Sequence, residues 1–150
     1  IERQEVDVIK TIQSVVDLYA NNEEKVQIVL SDERPNELQQ PFVVNAEGKG
    51  MTQVFSNLIK NAIQAKQKNQ EGKILISIFC ENEKFIVKIK DNGVGMNAQQ
   101  LERIFEPNFT TKTSGMGLGL PIVRNILQQI GATISVSSSE GVGTEFVIEF

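Results

Sequence analysis

Two glycine-rich runs, DNGVGM at 91–96 and GMGLGL at 115–120, bracket a polar stretch and constrain this chain more tightly than anything else in it. Glycine lets a backbone pass close to a partner and adopt positive φ without a Cβ clash. Backbone N–H groups gathered at the start of a helix form a seat for anionic oxygens. A carboxylate, Asp91, stands at the entrance to the first run. Together these features read as a nucleotide site with a lid over it.

Known phosphate-binding fingerprints narrow the reading. No G-x-x-x-x-G-K-[ST] occurs, which excludes a P-loop. Gly93-x-Gly95-x-x-Ala98 fits the dinucleotide fingerprint on paper. That fingerprint belongs to the first βα turn of a parallel sheet and needs an acidic residue about 20 positions on. Here the preceding strand reads as the second arm of a hairpin, and position 113 is Thr.

The 150 residues suit one domain with a single core, and no long apolar run or low-complexity tract interrupts them. A net charge of -4 gives no basic surface for nucleic acid. The lone Cys80 cannot form an internal disulfide and reads as a small core hydrophobe. No signal peptide is evident and the chain begins at Ile1, so an excised piece of a longer protein is expected. The chain contains no histidine. Any mechanism that uses imidazole as base, metal ligand or phosphoacceptor must find it elsewhere.

In chain order, residues 6–20 carry Ile9, Ile12, Val16 and Tyr19 as a helical stripe ended by Asn21 and Asn22. Residues 26–30 read as a strand, 31–40 as a connecting loop and 42–44 as a short second strand. A strong helix is expected over 50–67, with Met51, Val54, Phe55, Leu58, Ile59, Ala62 and Ile63 on one face. Asn57 and Asn61 project one turn apart beside that face. Asparagine is a poor helix former, so the pair is either two surface amides or amide oxygens aimed at a metal and its phosphates. Residues 73–80 and 85–90 form a hairpin by spacing. In its second arm Phe85, Val87, Ile89 and Asp91 share a face, with Lys88 and Lys90 opposite. Asp91 thus ends an inward row, and a carboxylate facing inward without a cation needs something to hydrogen-bond it.

Asn97-x-x-Gln100 resembles a capping box opening a short helix through Ile104. Residues 105–115 are polar and breaker-rich and read as the lid, which is expected to be weakly anchored without a nucleotide. A helix is expected over 119–130, with Pro121 in its first turn and Gly131 ending it. Strands over 133–137 and 144–150 close the chain. Thr144 shares its face with Phe146, Ile148 and Phe150, and so points to the same layer as Asp91. The expected architecture is an α+β two-layer sandwich: a mixed, mostly antiparallel sheet covered on one face by about three helices.

The set Asn57-x-x-x-Asn61-Ala62, Asp91-x-Gly93-x-Gly95, Phe105-x-Pro107 and Gly115-x-Gly117-x-Gly119-Leu120 resembles the N, G1, F and G2 boxes of sensor histidine kinases. The boxes lie in order over nearly the whole chain, and four in register are far more specific than one. The likeness is to the ATP-binding catalytic domain, of the Bergerat fold shared with gyrase, the heat-shock chaperone and mismatch-repair ATPases.

The resemblance implies roles. Asp91 would accept from the adenine amino group, a sound pairing because a carboxylate is acceptor-only and that amine a donor; guanine would present a carbonyl there. Gly93 and Gly95 would let the chain pass close to base and ribose, and Met96 and Ile104 belong to the same nucleotide-binding set. Asn61 would ligate Mg²⁺ through its amide oxygen, with Asn57 assisting. Gly115, Gly117, Leu118, Gly119 and Leu120 would present the backbone to the phosphates. Thr144 would reach the adenine edge through water. Thr110, Thr111 and Lys112 would belong to the closing lid, Lys112 serving the terminal phosphates. Asn57, Asn61 and Lys112 are the implied catalytic residues. Three positions depart from the family pattern: Gln64 where a phosphate-touching lysine is frequent, Asn108 for a second aromatic, and Met116 for a hydroxyl residue.

The implied activity is transfer of the γ-phosphoryl group of Mg-ATP to a histidine on an upstream dimerisation domain, with a response regulator receiver domain as the next partner. It implies a cytoplasmic domain within a homodimeric protein that a membrane segment can anchor. Hydrolytic relatives carry a glutamate at the position of Asn57, so slow hydrolysis is expected here. A serine kinase that doubles as an anti-sigma factor usually needs that glutamate too, and a non-catalytic nucleotide sensor would retain Asp91; both remain alternatives.

Overall fold

The computed structural model describes residues 2–107 and 119–150. The chain runs through β1 (Gln4–Asp7), α1 (Val8–Tyr19), β2 (Gln27–Asp32), a 3-10 turn at Asn36–Leu38, β3 (Val43–Ala46) and α2 (Gly48–Gln64). It continues through β4 (Lys73–Glu81), β5 (Lys84–Asp91), α3 (Ala98–Arg103), α4 (Leu120–Gln129), β6 (Thr133–Ser139) and β7 (Gly143–Glu149). Five strands form the main sheet in the order β2-β4-β5-β7-β6. Only the β2–β4 pair is parallel; the others are antiparallel. This is the expected α+β sandwich.

The first helix starts later than its stripe implied. Residues 4–7 pair with β3 in a separate two-stranded ribbon, Gln4 opposite Ala46 and Asp7 opposite Val43. Asp7 ends the strand and caps the helix, its Oδ1 accepting the Lys10 N–H at 3.1 Å. Val6, assigned to the helix by sequence, is therefore a buried strand residue. Similarly, α2 covers 48–64 rather than 50–67. The Ala65 carbonyl is taken by the N–H of Val94 at 2.7 Å, which turns the chain away from the helix axis.

Elsewhere local chemistry and fold agree. Asn82 and Glu83 hold positive φ in the β4–β5 turn (52° and 66°), as a two-residue hairpin with the right strand twist requires. The capping box forms: Asn97 Oδ1 accepts the Gln100 N–H at 2.8 Å, and Gln100 Oε1 accepts the Asn97 N–H at 2.9 Å.

One core lies between the sheet and the helices. Ile74, Ile76 and Ile78 of β4, Val87 and Ile89 of β5, and Phe146 and Ile148 of β7 meet Met51, Val54, Phe55, Leu58 and Ile59 of α2. Cys80 has the inward parity of β4 but is only half-buried; it sits near the strand's end, past the well-covered isoleucines. At that same end Phe42 stacks on Phe85, centroids 4.1 Å apart, and meets Phe150 edge-on at 5.0 Å.

Arg34 closes the edge of this aromatic group. It is 5% exposed, forks onto Asp32 at 2.9 and 2.8 Å and donates to the Gln40 carbonyl. The pair holds the Asp32 carboxyl below its usual value, chiefly through the Arg34 hydrogen bonds. The stretch read as a plain connecting loop is thus pinned down by a charged anchor. Among the described residues no helix is long and apolar enough to cross a membrane.

Phe42→Ala removes a ring with no solvent contact and should cost about 3–5 kcal/mol, read as a lower urea midpoint with unchanged slope. A loss below about 1 kcal/mol would show that this aromatic group does not hold the sheet end.

Candidate nucleotide-binding site

Alternation along β5 delivers Asp91 to the inner layer as expected: Val87, Ile89 and Asp91 are buried and Lys90 is exposed. Asp91 is 6% exposed. Its Oδ1 accepts the Gly93 N–H at 2.8 Å and the Thr144 N–H at 3.3 Å. None of the ion pairs among the described residues involves it. Burial therefore dominates, pushing its pKa up to about 6, while the two backbone N–H groups pull partly the other way.

The turn after Asp91 is sewn to its surroundings by polar side chains. Gln67 Nε2 donates to the carbonyls of Asn92, Gly93 and Gly141 at 3.1, 3.1 and 3.0 Å. Asn92 bridges the Glu71 carbonyl and the Lys73 N–H. The Gly141 N–H reaches the Val94 carbonyl at 2.8 Å. Gly95 has φ 70°, and a Cβ there would overlap the Ser139 carbonyl, so only glycine fits. Met96 is buried, with its N–H on Ser138 Oγ at 2.8 Å, and Ile104 is wholly buried. Thr144 is 2% exposed and stands beside Asp91.

On α2, Asn61 is 3% exposed and Asn57 half-buried. Together with Gln53, Lys60, Gln64, Gly119 and Ile122 they line a cavity of about 260 Å³ between α2 and the start of α4. Gly119 caps α4 with φ 81°, and a Cβ on it would come within 2.5 Å of Asn57 Nδ2. The helix start is therefore seated directly on Asn57, with Leu120 buried behind it. Among the described residues no cluster of three His, Cys, Asp or Glu side chains could hold a metal unaided.

A further cavity of about 240 Å³ touches Asp91 and Thr144. Much of its lining is Lys90, Ser137 and Glu145, cross-strand neighbours on the opposite face of the sheet.

The fold thus gathers Asp91, Gly93, Gly95, Met96 and Thr144 at one end, and Asn57, Asn61 and Gly119 at the other. Thr110, Thr111, Lys112, Gly115, Gly117 and Leu118 lie outside the described residues, as do Asn108 and Met116 and nearly all of the expected lid.

With this geometry, residues 46–150 match the family of histidine kinase-, DNA gyrase B- and HSP90-like ATPases. The chain belongs to that family. It is an ATP-binding catalytic domain of the sensor histidine kinase kind. Sensor histidine kinase ZraS of Escherichia coli K12 is 39% identical over 140 residues, which make up 89% of this chain and 30% of that protein. The chain therefore spans about a third of its relative's length. The catalytic domain of histidine kinase ThkA superposes with a TM-score of 0.79 at 34% identity, covering 100% of this chain and 95% of that one. A mycobacterial sensor histidine kinase, MprB, shares the fold with a TM-score of 0.81 at 20% identity.

Reading the sequence of this kinase domain missed several residues of the site. Gln53 and Lys60 join Asn57, Asn61 and Gln64, the last already noted as a departure from the family pattern, along one polar stripe of α2 at helical spacing; the stripe was visible but overshadowed by the two asparagines. Gln67 and Ser138 carry no local signal, because their partners are far away in sequence.

The raised Asp91 pKa sets a stability trend. Between about 4 and 6 the native state keeps a proton that the unfolded state has lost, so stability falls as pH rises through that window and levels off above it. Asp91→Asn should stabilise the nucleotide-free kinase domain on the order of 2–3 kcal/mol at pH 7.5, with the difference vanishing near pH 4. Chemical denaturation at both pH values checks this; equal stability at pH 7.5 would mean that ionising the buried carboxyl carries no cost.

Proposed function

We propose that the domain binds Mg-ATP and donates the γ-phosphoryl group to a histidine on a separate dimerisation domain. The observation that carries this is the buried Asp91, without an ion-pair partner among the described residues, beside a glycine turn held by Gln67. In this reading Asp91 accepts from the adenine amine, Gly93 and Gly95 admit the base and ribose, and Met96 and Ile104 back the base. Thr144 meets the adenine edge. Asn57 and Asn61 turn amide oxygens toward the phosphates, and the first amides of α4 at Gly119 and Leu120 face the same anion. Gly115, Gly117 and Leu118 extend that backbone seat, and Thr110, Thr111 and Lys112 close over it.

Asn61, with Asn57 near it, fits a hard cation held by one or two protein oxygens plus phosphate and water, which is how Mg²⁺ is usually bound. When bound, Mg²⁺ neutralises charge on the phosphates. Among the described residues no carboxylate lines the α2–α4 cavity, and an amide cannot take a proton from water, so Asn57 favours holding ATP over hydrolysing it.

The chain's part in transfer is positioning and charge neutralisation. A histidine nitrogen from the dimerisation domain bonds to the γ-phosphorus as the bond to the ADP oxygen breaks. Because this chain has no histidine, it is the catalytic part only, and 1–150 acts as one domain of a longer, homodimeric protein. A receiver domain of a response regulator takes the phosphoryl group next. We place the domain on the cytoplasmic side, with any membrane anchor lying outside these residues.

Incubation with γ-labelled ATP, Mg²⁺ and a histidine-bearing dimerisation domain tests this. Acid-labile, base-stable label on the second protein is expected. Label on serine would point to the anti-sigma type of kinase, and binding without transfer to a nucleotide sensor. Asp91→Asn should abolish the thermal stabilisation given by Mg-ATP, a loss of at least about 2 kcal/mol in binding; unchanged stabilisation would refute the adenine contact.

A further inference from the structure

Ser138, on β6, touches three groups that matter to the base end of the site. Its Oγ accepts the Met96 N–H at 2.8 Å, lies 3.0 Å from the Gly143 carbonyl and 2.8 Å from Thr144 Oγ1. A hydroxyl has one proton and two lone pairs. A carbonyl can only accept, so the single proton of Ser138 goes to Gly143. One lone pair is filled by Met96. The contact with Thr144 is then a hydrogen bond only if Thr144 donates.

We propose that Ser138 fixes the polarity of Thr144 and is a specificity-determining positioning residue for a 6-aminopurine. With its proton committed to Ser138, the Thr144 hydroxyl offers only lone pairs to a ligand. Its N–H is already on Asp91. The base end therefore shows two side-chain acceptors, Asp91 and Thr144, and the Thr144 hydroxyl gives no donor. A purine with an exocyclic amine satisfies them directly or through water. A purine with a carbonyl at that position meets acceptor against acceptor, and unpaired polar groups in a buried site are costly. Removing the Ser138 oxygen frees the Thr144 proton to turn toward the ligand and supply the missing donor. The same oxygen holds Met96, which ties the turn after Asp91 to the β6–β7 end.

This inference rests on adenine lying at Asp91, and its test separates the two. ATP and ITP differ only at the purine 6-position and the adjoining ring nitrogen. Dissociation constants for both, with Mg²⁺, are measured by calorimetry on wild type, Ser138→Ala and Ser138→Thr. Wild type should prefer ATP by at least about tenfold, Ser138→Thr should keep that ratio within about twofold, and Ser138→Ala should lower it by about fivefold or more. A purely structural role would weaken both nucleotides together and leave the ratio intact, which overturns the proposal. If the alanine variant does not fold, Ser138→Cys, of similar size and with a poor acceptor, should narrow the ratio in the same way; an unchanged ratio there also overturns it. Wild type that binds neither nucleotide, or both equally, would instead sink the adenine reading itself.

Discussion

A carboxylate withdrawn from water, with no ion-pair partner among the described residues, is the constraint on which this domain depends. Asp91 sits at the end of a buried row, and the two backbone N–H groups that reach it among the described residues offset only part of the cost of burial. The empty fold is thereby held short of its most stable state, and a ligand that brings a donor to Asp91 recovers what burial costs. Binding affinity and apo instability are two faces of one arrangement. That is the usual relation between a strained site and its function.

The scaffold around Asp91 is correspondingly stiff. Gln67 reaches three carbonyls, Asn92 ties the turn after β5 to the entry of β4, and Ser138 joins the turn at Met96 to the start of β7. These bonds link segments up to 74 residues apart, so the base end is assembled only when the whole sheet is. At the opposite end, α4 begins on a left-handed glycine pressed against Asn57. Any shift of Gly119 at the start of α4 is therefore felt by Asn57.

How much of this could be read from the sequence differs by the kind of signal. Period-two alternation in 85–91 and 144–150 placed Asp91 and Thr144 in one layer, and the fold puts them within hydrogen-bond reach. The capping box at Asn97, the glycine after α4 and the broad apolar face of α2 were local patterns and formed as such. What stayed hidden is non-local. Strand β1 was missed, its Val6 and Asp7 being read into the helix, because a four-residue strand has too few side chains to show a period and its partner β3 lies some 40 residues on. Arg34 looked like one more charge in a polar loop, yet its burial follows from aromatic rings brought together from three distant segments. Gln67 and Ser138 gave no sign, since a polar residue's partner cannot be inferred from its neighbours. The lid and box residues between 108 and 118, the lid's Lys112 among them, fall outside the described residues.

The central claim, that Asp91 is a desolvated acceptor waiting for an amine, is open to one direct measurement. Carboxyl-carbon NMR can follow the titration of Asp91 in the empty domain and again with saturating Mg-ATP. The account requires a pKa near 6 without nucleotide and a fall toward or below the ordinary carboxylate range once the adenine amine is in place. An Asp91 that titrates like an exposed carboxylate in the empty domain, or whose titration ATP leaves unmoved, would contradict it.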